Sequence, residues 1–466
     1  METTNKATRL WGDFFKLNQP QIRAFHMSWF AFFLCFFAWF GIAPLMKVVR
    51  EELQLTQSQV GWCIISSVAI TVIARLLIGW LCDRIGPRLA YSGLLVFGAL
   101  PVMGIGFANS FETFLLFRLM IGAIGASFVI TQYHTSIMFA PNVVGTANAT
   151  SAGWGNLGGG VTQLVMPIIF GVLTVGAIIP FTDIPFLDGL GLSAPAGWRV
   201  AMVIAGATCL FTGIAYYFCT QDTPDGNFRD LRAAGKMEQG KKATGAFWTA
   251  CKDHRVWALF LIYGACFGIE LTINNVAALY FADYFGLGIV AAGASAALFG
   301  LMNLFARTLG GIFGDRFGIR WGLKGRVFFL FLMLFCEGIA LMFFSQMTAL
   351  ALAIPALLLF SLFVQMSEGA TFSVVPFINK RALGAVAGIV GAGGNAGAVA
   401  AGFLFKGAIP WPTALLILGA MVVTCSFLTF AVRFSAAAED EARRELLAAA
   451  SKLRQEPELQ LEPALT

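Results

Sequence analysis

The chain has 466 residues, of which 58% are hydrophobic and 12% are charged, and its mean hydropathy is +0.77. A soluble protein of this length needs more polar surface, so the composition excludes a soluble fold. The net charge of +6 comes from lysines and arginines in short loops and both tails, which favours membrane topology signals over nucleic-acid binding. The nine cysteines have no C-x-x-C spacing, which argues against a disulfide framework or a metal site.

Apolar stretches of spanning length predict twelve transmembrane helices in two groups of six. The expected spans are 24–46, 58–82, 88–108, 112–139, 144–172, 199–219, 255–285, 289–313, 326–346, 349–377, 383–407 and 411–433. The sequence therefore predicts an all-α membrane protein made of two six-helix bundles. The expected parts are a cytoplasmic N-terminal segment at 1–23, a bundle at 24–220, a cytoplasmic linker at 221–254, a second bundle at 255–434 and a charged cytoplasmic tail at 435–466.

The distribution of positive charge predicts the orientation of the chain. Loops on the side of the linker contain most of the basic residues, among them Arg84, Arg88, Arg316 and Arg320, whereas the opposite loops contain few. By the positive-inside rule, both termini are then cytoplasmic, in a plasma membrane or a bacterial inner membrane. The charged N-terminal segment also lacks the short apolar core of a removable signal peptide.

A repeated motif indicates that the chain is a duplicated unit. Arg75 begins the string RLLIGWLCDRIGPR and Arg307 begins RTLGGIFGDRFGIR, so the same spaced letters recur after 232 positions. Each arginine precedes an Asp-Arg pair by eight residues, which places it about 12 Å into a helix and near the middle of a hydrocarbon core of about 30 Å. An arginine there costs about 2.5 to 3.5 kcal/mol. We therefore predict that the two arginines bind an anion.

Glycine-rich strings occur at matching places in the two halves. Residues 150–163 read TSAGWGNLGGGVTQ and residues 388–397 read GIVGAGGNAG, so Asn156 aligns with Asn395. Tight helix packing explains glycines in such strings, but a buried amide needs polar partners or substrate. The glycines predicted to act as hinges are Gly153, Gly155, Gly158, Gly393, Gly394 and Gly397. A third pair of strings, GASF and GATF, places Phe128 and Phe372 at matched depth, where each alone would be a core residue.

The two Asp-Arg motifs resemble the loop signature G-x3-D-R-x-G-x-R of the major facilitator superfamily. Helix capping and topology charges would explain one copy, but they would not explain two aligned copies. The resemblance implies two parallel repeats of six helices, each built from inverted triplets, with a substrate site between the halves. It also implies that four side chains clasp the halves together on the cytoplasmic side and act as gates: Asp83, Arg84, Asp315 and Arg316.

Within that superfamily, the strings AGWGNLGGG and GAGGNAG resemble the signatures of the nitrate/nitrite porters. QDTPDGN at 221–227, YGACFGIELTINNVAALYF at 263–281 and GATFSVVPF at 369–377 are similar to the high-affinity nitrate transporter subgroup. The resemblance implies that Arg75 and Arg307 grip the anion. It further implies that four residues complete the pocket, namely Asn156, Phe128, Tyr263 and Phe267, while Asn395 follows from the subgroup resemblance alone.

The chemistry of nitrate agrees with such a pocket. Nitrate is small, planar and singly charged, so planar guanidinium groups can donate paired hydrogen bonds to it while phenyl faces enclose it. A small organic anion is the closest rival substrate. Such an anion would need a wider cavity, whereas the bulk of Phe128, Phe267 and Trp154 near five glycines favours a narrow one.

Accumulation of an anion in a cell requires a driving force. Moving one negative charge inward costs about 2.3 kcal/mol per 100 mV, so uptake needs more than one proton per nitrate, or exchange for an outgoing anion. The proton-coupling candidates are Glu270, Glu368 and His134, although each could instead neutralise an arginine permanently. Glu270 is favoured because it shares a helix face with Phe267 and Tyr263. Arg118 in RLMIGAIG resembles a fourth-helix motif of proton-driven members. We predict proton-coupled uptake, with nitrate/nitrite exchange as the alternative.

Other classes of function are less well supported by the sequence. No metal cluster, nucleophile with a base, or cofactor fingerprint occurs, so we predict neither an enzyme nor a bound cofactor. A membrane sensor of nitrate that has lost transport is a hypothesis from another class, but two intact gating motifs favour a transporter. The expected partners are nitrate or nitrite, protons and the lipid bilayer. We expect a monomer, and an accessory subunit is left open.

Overall fold

The computed structural model describes residues 5–139, 143–178, 180, 184–235, 246–379 and 383–440. This part of the chain contains twelve helices that are long and apolar enough to cross a membrane, which confirms the predicted fold. Spans 1 to 6 are Pro20–Glu52, Gln57–Gly79, Pro87–Phe107, Phe111–Met138, Ala147–Leu173 and Ala194–Cys219. Spans 7 to 12 are His254–Tyr284, Ile289–Gly318, Arg320–Ser345, Leu350–Val374, Ala385–Lys406 and Trp411–Ala431.

Several helix limits differ from the sequence prediction. The helix of span 2 runs from Gln57 to Ile85, and span 9 begins six residues earlier than expected, directly after span 8. Spans 5 and 6 are joined by an antiparallel hairpin of β1, Gly176–Ile178, and β2, Pro185–Asp188, which hydropathy did not indicate. The described part of the linker contains two short helices, Phe228–Ala233 and Ala246–Cys251.

Local sequence explains where several spans begin. Thr56 forms a capping box with Gln59 ahead of span 2, and Ser110 forms one with Thr113 ahead of span 4. Asp253 begins span 7 by accepting a hydrogen bond of 2.9 Å from the Arg255 backbone N–H. These side chains satisfy backbone donors that have no partner inside the helix, and each such cap stabilises a helix by about 1 kcal/mol.

Two spans are interrupted next to the predicted site. Span 4 changes to a 3-10 helix at Gly122–Ala126, just before Phe128, and span 8 does so at Met302–Leu304. At each break a hydroxyl from a neighbouring span donates to a backbone carbonyl: Thr71 to Gly122 at 2.7 Å, and Ser361 to Phe299 at 2.6 Å. Irregular backbone inside a membrane is tolerated where other protein groups form hydrogen bonds with the free backbone N–H and C=O groups. Such breaks are typical of transporter sites.

The glycine-rich strings pack in the same way in both halves. A Cβ on Gly155 would overlap the Phe32 ring of span 1, and a Cβ on Gly394 would overlap the Phe267 ring of span 7. Gly158 lies directly against the span 1 backbone, and Gly393 and Gly397 lie against the backbone of span 7. The glycines therefore allow spans 5 and 11 to pack tightly on spans 1 and 7, and their role as hinges stays a prediction.

The two halves contact each other along two pairs of spans. Span 2 packs on span 11, where Gly61 lies against Lys406, and span 5 packs on span 8, where Gly160 lies against Gly300. Arg50 and Asp283 form an ion pair between the halves at the membrane side opposite the linker, which we call the opposite side. The Gln57 side chain donates to the Phe405 carbonyl nearby at 3.1 Å. The halves are therefore closed together on the opposite side.

The same pairs of spans separate towards the linker side. Gly311 of span 8 and Gly388 of span 11 continue the faces that pack against the other half, yet a Cβ on either glycine would meet no atom of the described residues within 4 Å. Among the described residues, the contacts between the halves therefore lie on the opposite side, and space is left between the halves towards the linker.

The described part of the N-terminal segment covers the linker end of the first half. The Ala7 backbone N–H donates to the Met138 carbonyl at 3.0 Å. The rings of Trp11 and Trp29 lie 6.4 and 5.4 Å from the ring of Trp154. The sequence predicts that the bulk of Trp154 narrows the cavity. Its ring instead belongs to an aromatic cluster with the N-terminal segment and span 1, so that expectation was wrong.

Candidate anion site between the two halves

The two repeated arginines lie on facing spans and share one aromatic ring. Arg75 of span 2 and Arg307 of span 8 are each 7% exposed. Their Cζ atoms lie 5.6 and 6.0 Å from the centroid of the Phe267 ring. The Phe128 ring contacts Arg75 as well, with its centroid 5.3 Å from Cζ. Five of the predicted pocket residues therefore come together: Arg75, Arg307, Phe128, Phe267 and, as described below, Tyr263.

Arg75 has unused hydrogen-bonding capacity. Its Nη1 donates to the Gly391 carbonyl of span 11 at 3.1 Å. Its Nε and Nη2 atoms are buried, and neither has a partner among the described residues. Buried donors without acceptors are costly, and those of a cation are costlier than neutral ones. Nε and Nη2 are the donors that a guanidinium presents side by side to a planar anion. The two free donors of Arg75 therefore match two oxygens of such an anion.

Arg307 differs because a carboxylate already compensates its charge. Its Nη1 lies 2.6 Å from Oε2 of Glu368 on span 10, and its Nη2 donates to the Tyr263 hydroxyl at 3.0 Å. Tyr263 stacks on Phe267 with the ring centroids 5.2 Å apart, and Phe372 packs edge-on against it at 5.1 Å. The two arginines occupy matching positions in the repeat, but their electrostatic environments are different.

Glu270 connects the two halves through amide groups. This carboxylate of span 7 is fully buried and accepts from Nδ2 of Asn303 at 2.7 Å and from Nδ2 of Asn156 at 3.4 Å. It also lies close enough to Arg307 and Glu368 to interact with both electrostatically. The Asn156 amide thus contacts a carboxylate from the other half. Asn303 was missed by the sequence analysis, although its position four residues before Arg307 places both on one helix face.

Asn395 lies on span 11, the span that supplies the carbonyl bonded to Arg75. It is fully buried, and neither amide atom has a partner in the described part of the chain. It follows by one helical turn Gly391, whose carbonyl accepts the bond from Arg75. A buried amide with both ends unsatisfied has capacity for a polar ligand, and the role of Asn395 in substrate binding stays a prediction.

His134 lies in a different network from the arginines. One ring nitrogen, Nδ1, is 2.5 Å from the Tyr216 hydroxyl, and the other, Nε2, is 2.9 Å from the Gln221 carbonyl. Ser28 bonds to the same tyrosine at 2.9 Å. Both ring nitrogens therefore have partners within the first half and the start of the linker. This geometry gives no support to His134 as a proton carrier at the anion site.

Two charged residues inside the spans were not used in the sequence predictions of the site. Arg118 of span 4 donates to the Trp39 carbonyl at 3.2 Å and to Asn275 of span 7 at 2.8 Å, so it bonds across the two halves. Glu337 of span 9 is fully buried close to Glu368. A lone carboxylate in the apolar run FFLFLMLFCEGIALMFF is a visible signal, because such residues are rare in membranes.

The predicted gating residues lie at the linker side. The side chains of Asp83 and Asp315 fall outside the described residues, and those of Arg84 and Arg316 are exposed. The Arg84 carbonyl accepts a bond of 2.6 Å from Arg232 of the linker. The role of these four residues as gates remains a prediction.

The helix that follows each copy of the motif is held near its start by a carboxylate from the segment that follows that bundle. Asp222 accepts from the backbone N–H groups of Arg88 and Phe228, each at 2.9 Å. Glu439 accepts from those of Leu323 and Lys324 at 2.8 and 3.0 Å. Burial raises the pKa of Asp222, although these N–H donors oppose that effect. Asp222 belongs to the string QDTPDGN, so this string has a structural role, which is to fix the backbone at Arg88 and Phe228.

Three kinds of comparison place the chain among known proteins. The family model of the Major Facilitator Superfamily matches residues 28–378. High affinity nitrate transporter 2.5 of Arabidopsis thaliana is 40% identical over 91% of this chain and 82% of its own length. Nitrate/nitrite transporter NrtP of Picosynechococcus sp. is 31% identical over 80% of this chain and 83% of its own.

Solved structures agree with the fold. The partially occluded inward open xylose transporter XylE from E. coli has a TM-score of 0.66 at 14% identity, covering 90% of this chain and 98% of its own. An inward-facing bacterial homolog of the human lysosomal transporter Spinster has a TM-score of 0.64 at 16% identity, covering 92% of this chain and 98% of its own. The extent of these matches shows that the chain belongs to the major facilitator superfamily and, within it, to the nitrate transporter family.

Proposed function

We propose that the protein is a secondary active transporter that moves nitrate, or the smaller anion nitrite, across the cell membrane by alternating access. The observation that carries this proposal is Arg75, whose buried Nε and Nη2 have no partner among the described residues while its guanidinium contacts two phenyl rings. Relatives that match over most of the chain are named as nitrate transporters, which supports nitrate as the substrate.

The shape of the site favours a small planar anion over an organic one. The guanidinium of Arg75 lies against Phe128 and Phe267, and the Tyr263 ring stacks on Phe267. A fork of two N–H groups matches two oxygens of nitrate. The rings of Phe128 and Phe267 lie against the guanidinium of Arg75, and such close walls favour a small flat anion over a larger acid with carbon substituents.

Charge counting supports coupling to protons. Arg75 and Arg307 contribute two positive charges, and ionised Glu270 and Glu368 contribute two negative ones, so the empty site is neutral. Nitrate adds a negative charge, which one proton on either carboxylate would cancel. A site that stays neutral can reorient without moving an uncompensated charge across the low-dielectric core. We therefore propose that uptake is proton-coupled.

Glu270 is the favoured carboxylate because it bonds to both halves. Its oxygens accept from Asn156 of the first half and from Asn303 of the second. Bonds to an ionised carboxylate contribute about 1.5 to 3 kcal/mol each, more than bonds to neutral groups. Protonation of Glu270 would therefore weaken its bond to the Asn156 amide, and this would couple proton binding to the separation of the halves.

We further propose that the linker side is cytoplasmic, that both termini lie there, and that the chain works as a monomer. The excess of basic residues in the linker-side loops supports this orientation. With that orientation, the arrangement described here is open to the cytoplasm and closed to the outside.

Anion exchange is a second candidate mechanism. Arg75 has no carboxylate partner in the described part of the chain, so an empty carrier would keep a positive charge at this position if Glu270 were protonated. Such a carrier would reorient readily only with an anion bound, as nitrate/nitrite exchange requires.

The test is counterflow of labelled nitrate in proteoliposomes, with and without an imposed pH gradient. We expect counterflow in both conditions, and net accumulation only with the gradient. Counterflow without gradient-driven accumulation would establish the exchanger. Absence of counterflow, or equal inhibition by acetate and by nitrate, would refute nitrate as the substrate.

A further inference from the structure

Arg118 is a buried cation of span 4 that the proposed mechanism does not use. Its side chain is 3% exposed, and the ion pairs found among the described residues do not include it. The titratable side chain that interacts with it electrostatically is Cys63 of span 2, a thiol that is neutral near pH 7. An arginine inside a membrane is costly unless something compensates its charge. Packing alone therefore gives no reason for a cation at this position.

The guanidinium of Arg118 is bound by neutral acceptors from both halves. Its Nη1 donates to the Trp39 carbonyl of span 1 at 3.2 Å, and its Nη2 donates to Oδ1 of Asn275 on span 7 at 2.8 Å. Its Nε is buried and has no partner among the described residues. Arg75 has a similar pattern, with Nη1 on a backbone carbonyl and with Nε and Nη2 unused. The two arginines therefore differ in Nη2, which in Arg118 is occupied by a residue of the other half.

Arg118 lies between the anion site and the closure on the opposite side. The Ser67 hydroxyl donates to the same Asn275 oxygen at 3.3 Å, and Ser67 precedes Arg75 by eight residues on span 2. Asp283, which forms part of the ion pair that closes the opposite side, follows Asn275 by eight residues on span 7. Eight helical residues rise about 12 Å. The contact of Arg118 with Asn275 is therefore about midway along the interface between the halves, from the closure to Arg75.

Separation of the halves on the opposite side would change the bonds of Arg118. Entry of an anion from that side requires such a separation. Span 7 then carries Asn275 away, because Asn275 belongs to the second half, while Trp39 and Arg118 remain together in the first. Nη2 joins Nε as a free pair of donors on the wall of the opened cavity. Two adjacent N–H groups of a guanidinium match two oxygens of a planar anion.

We propose that Arg118 is an entry site for nitrate or nitrite, available only while the halves are separated on the opposite side. The incoming anion binds to Nε and Nη2 of Arg118 and then passes to Arg75. As the halves close, the Asn275 oxygen takes Nη2 back and displaces the anion inward. The ligand class is the small planar oxyanion of the main site, so this inference rests on the proposed function and extends it by a second binding residue.

The test is the KM for nitrate supplied from the opposite side, measured as initial uptake by cells that produce the full chain. Arg118→Gln should raise this KM about tenfold or more, because a charge-assisted hydrogen bond is lost. Arg118→Lys keeps the charge and should raise it less. The Kd of nitrate in isothermal titration of the purified protein should stay unchanged, since Arg75 is about 12 Å away. Lys47→Gln, which removes a positive charge at the same end of span 1, is the control and should leave KM unchanged.

Two substitutions of Asn275 separate an entry site from a purely structural bond. Asn275→Leu removes the acceptor but leaves the donors of Arg118 free, so KM should not rise. Asn275→Asp keeps an acceptor but places a negative charge against Arg118, so KM should rise as in Arg118→Gln. A bond that only holds the halves together predicts the reverse order, because leucine would lose it and aspartate would keep it.

Three results would overturn the inference while leaving nitrate transport intact. They are an unchanged KM in Arg118→Gln, a Kd that rises together with KM in that variant, and the reverse order of the two Asn275 variants. The Asn275 pair decides the matter if the Arg118 variants do not fold. Absence of nitrate uptake and of nitrate binding in the unaltered protein would instead refute the proposed function itself.

Discussion

Replacement of Arg75 by lysine tests the anion site most directly. Lysine keeps the positive charge but replaces a planar fork with a point charge. Nε and Nη2 of Arg75 are the two buried donors without partners, and a single ammonium group cannot present both in one plane. The variant therefore loses about one charge-assisted hydrogen bond to nitrate, or about 1.5 to 3 kcal/mol. This corresponds to a dissociation constant raised about 10- to 150-fold.

The assay is isothermal titration of nitrate into the purified protein, followed by uptake in proteoliposomes, where transport by Arg75→Lys should be nearly abolished. Arg199→Lys is the control, because Arg199 lies on the opposite side of the first half and not at the anion site. Its Nη1 donates to Oε1 of Glu52 at 2.6 Å. Arg307→Lys should also impair transport, but it should weaken nitrate binding less than Arg75→Lys, since lysine can keep the ion pair with Glu368. Unchanged affinity in Arg75→Lys, or a larger loss in Arg307→Lys, would refute the assignment.

Three further substitutions test the coupling, the amide contact and the helix packing. Glu270→Gln should keep nitrate exchange but lose accumulation driven by a pH gradient, and retention of full accumulation in both this variant and Glu368→Gln would exclude these carboxylates as the proton path. Asn156→Ala removes a donor to Glu270 and should weaken nitrate binding by about 1 to 3 kcal/mol; unchanged affinity on titration would leave Asn156 with a packing role only. Gly158→Ala should lower the thermal unfolding temperature, because its Cβ would overlap the span 1 backbone, whereas Gly388→Ala should leave it unchanged. Equal melting temperatures for the two glycine variants would show that the close approach of spans 1 and 5 is not needed for stability.

Much of the fold and the pair of arginines could be predicted from the sequence because strong physical rules apply to them. Hydrocarbon thickness fixes the length of a span, and an arginine in the middle of one needs a compensating charge. The repeat then shows that Arg75 and Arg307 are equivalent in the chain. Glu337 could have been found by the same rule, since it interrupts an apolar run.

The partners of those residues could not be predicted because hydropathy does not fix the rotation of a helix or its neighbours. Glu368 pairs with Arg307 from a span that is two positions later in the chain, and no periodicity indicates that contact. His134 is of a residue type that can carry protons, but the rotation of span 4 directs its imidazole ring to the Tyr216 hydroxyl. The 3-10 break at Met302–Leu304, which precedes Arg307 and includes Asn303, has no glycine or proline to mark it.

The difference between the two arginines connects the repeat to the direction of transport. A perfectly symmetric site would hold either two free guanidinium groups, which would favour obligatory exchange, or two compensated ones, which would bind an anion weakly. Here Arg307 is paired with Glu368 while Arg75 keeps unused donors, and the acids Glu270, Glu368 and Glu337 all belong to the second half. In the proposed mechanism, the first half supplies the free cation for nitrate, and the second half supplies the groups that would carry protons. If this division holds, the anion and the protons bind to different halves of the carrier, so occupancy of both sites would control the relative movement of the halves.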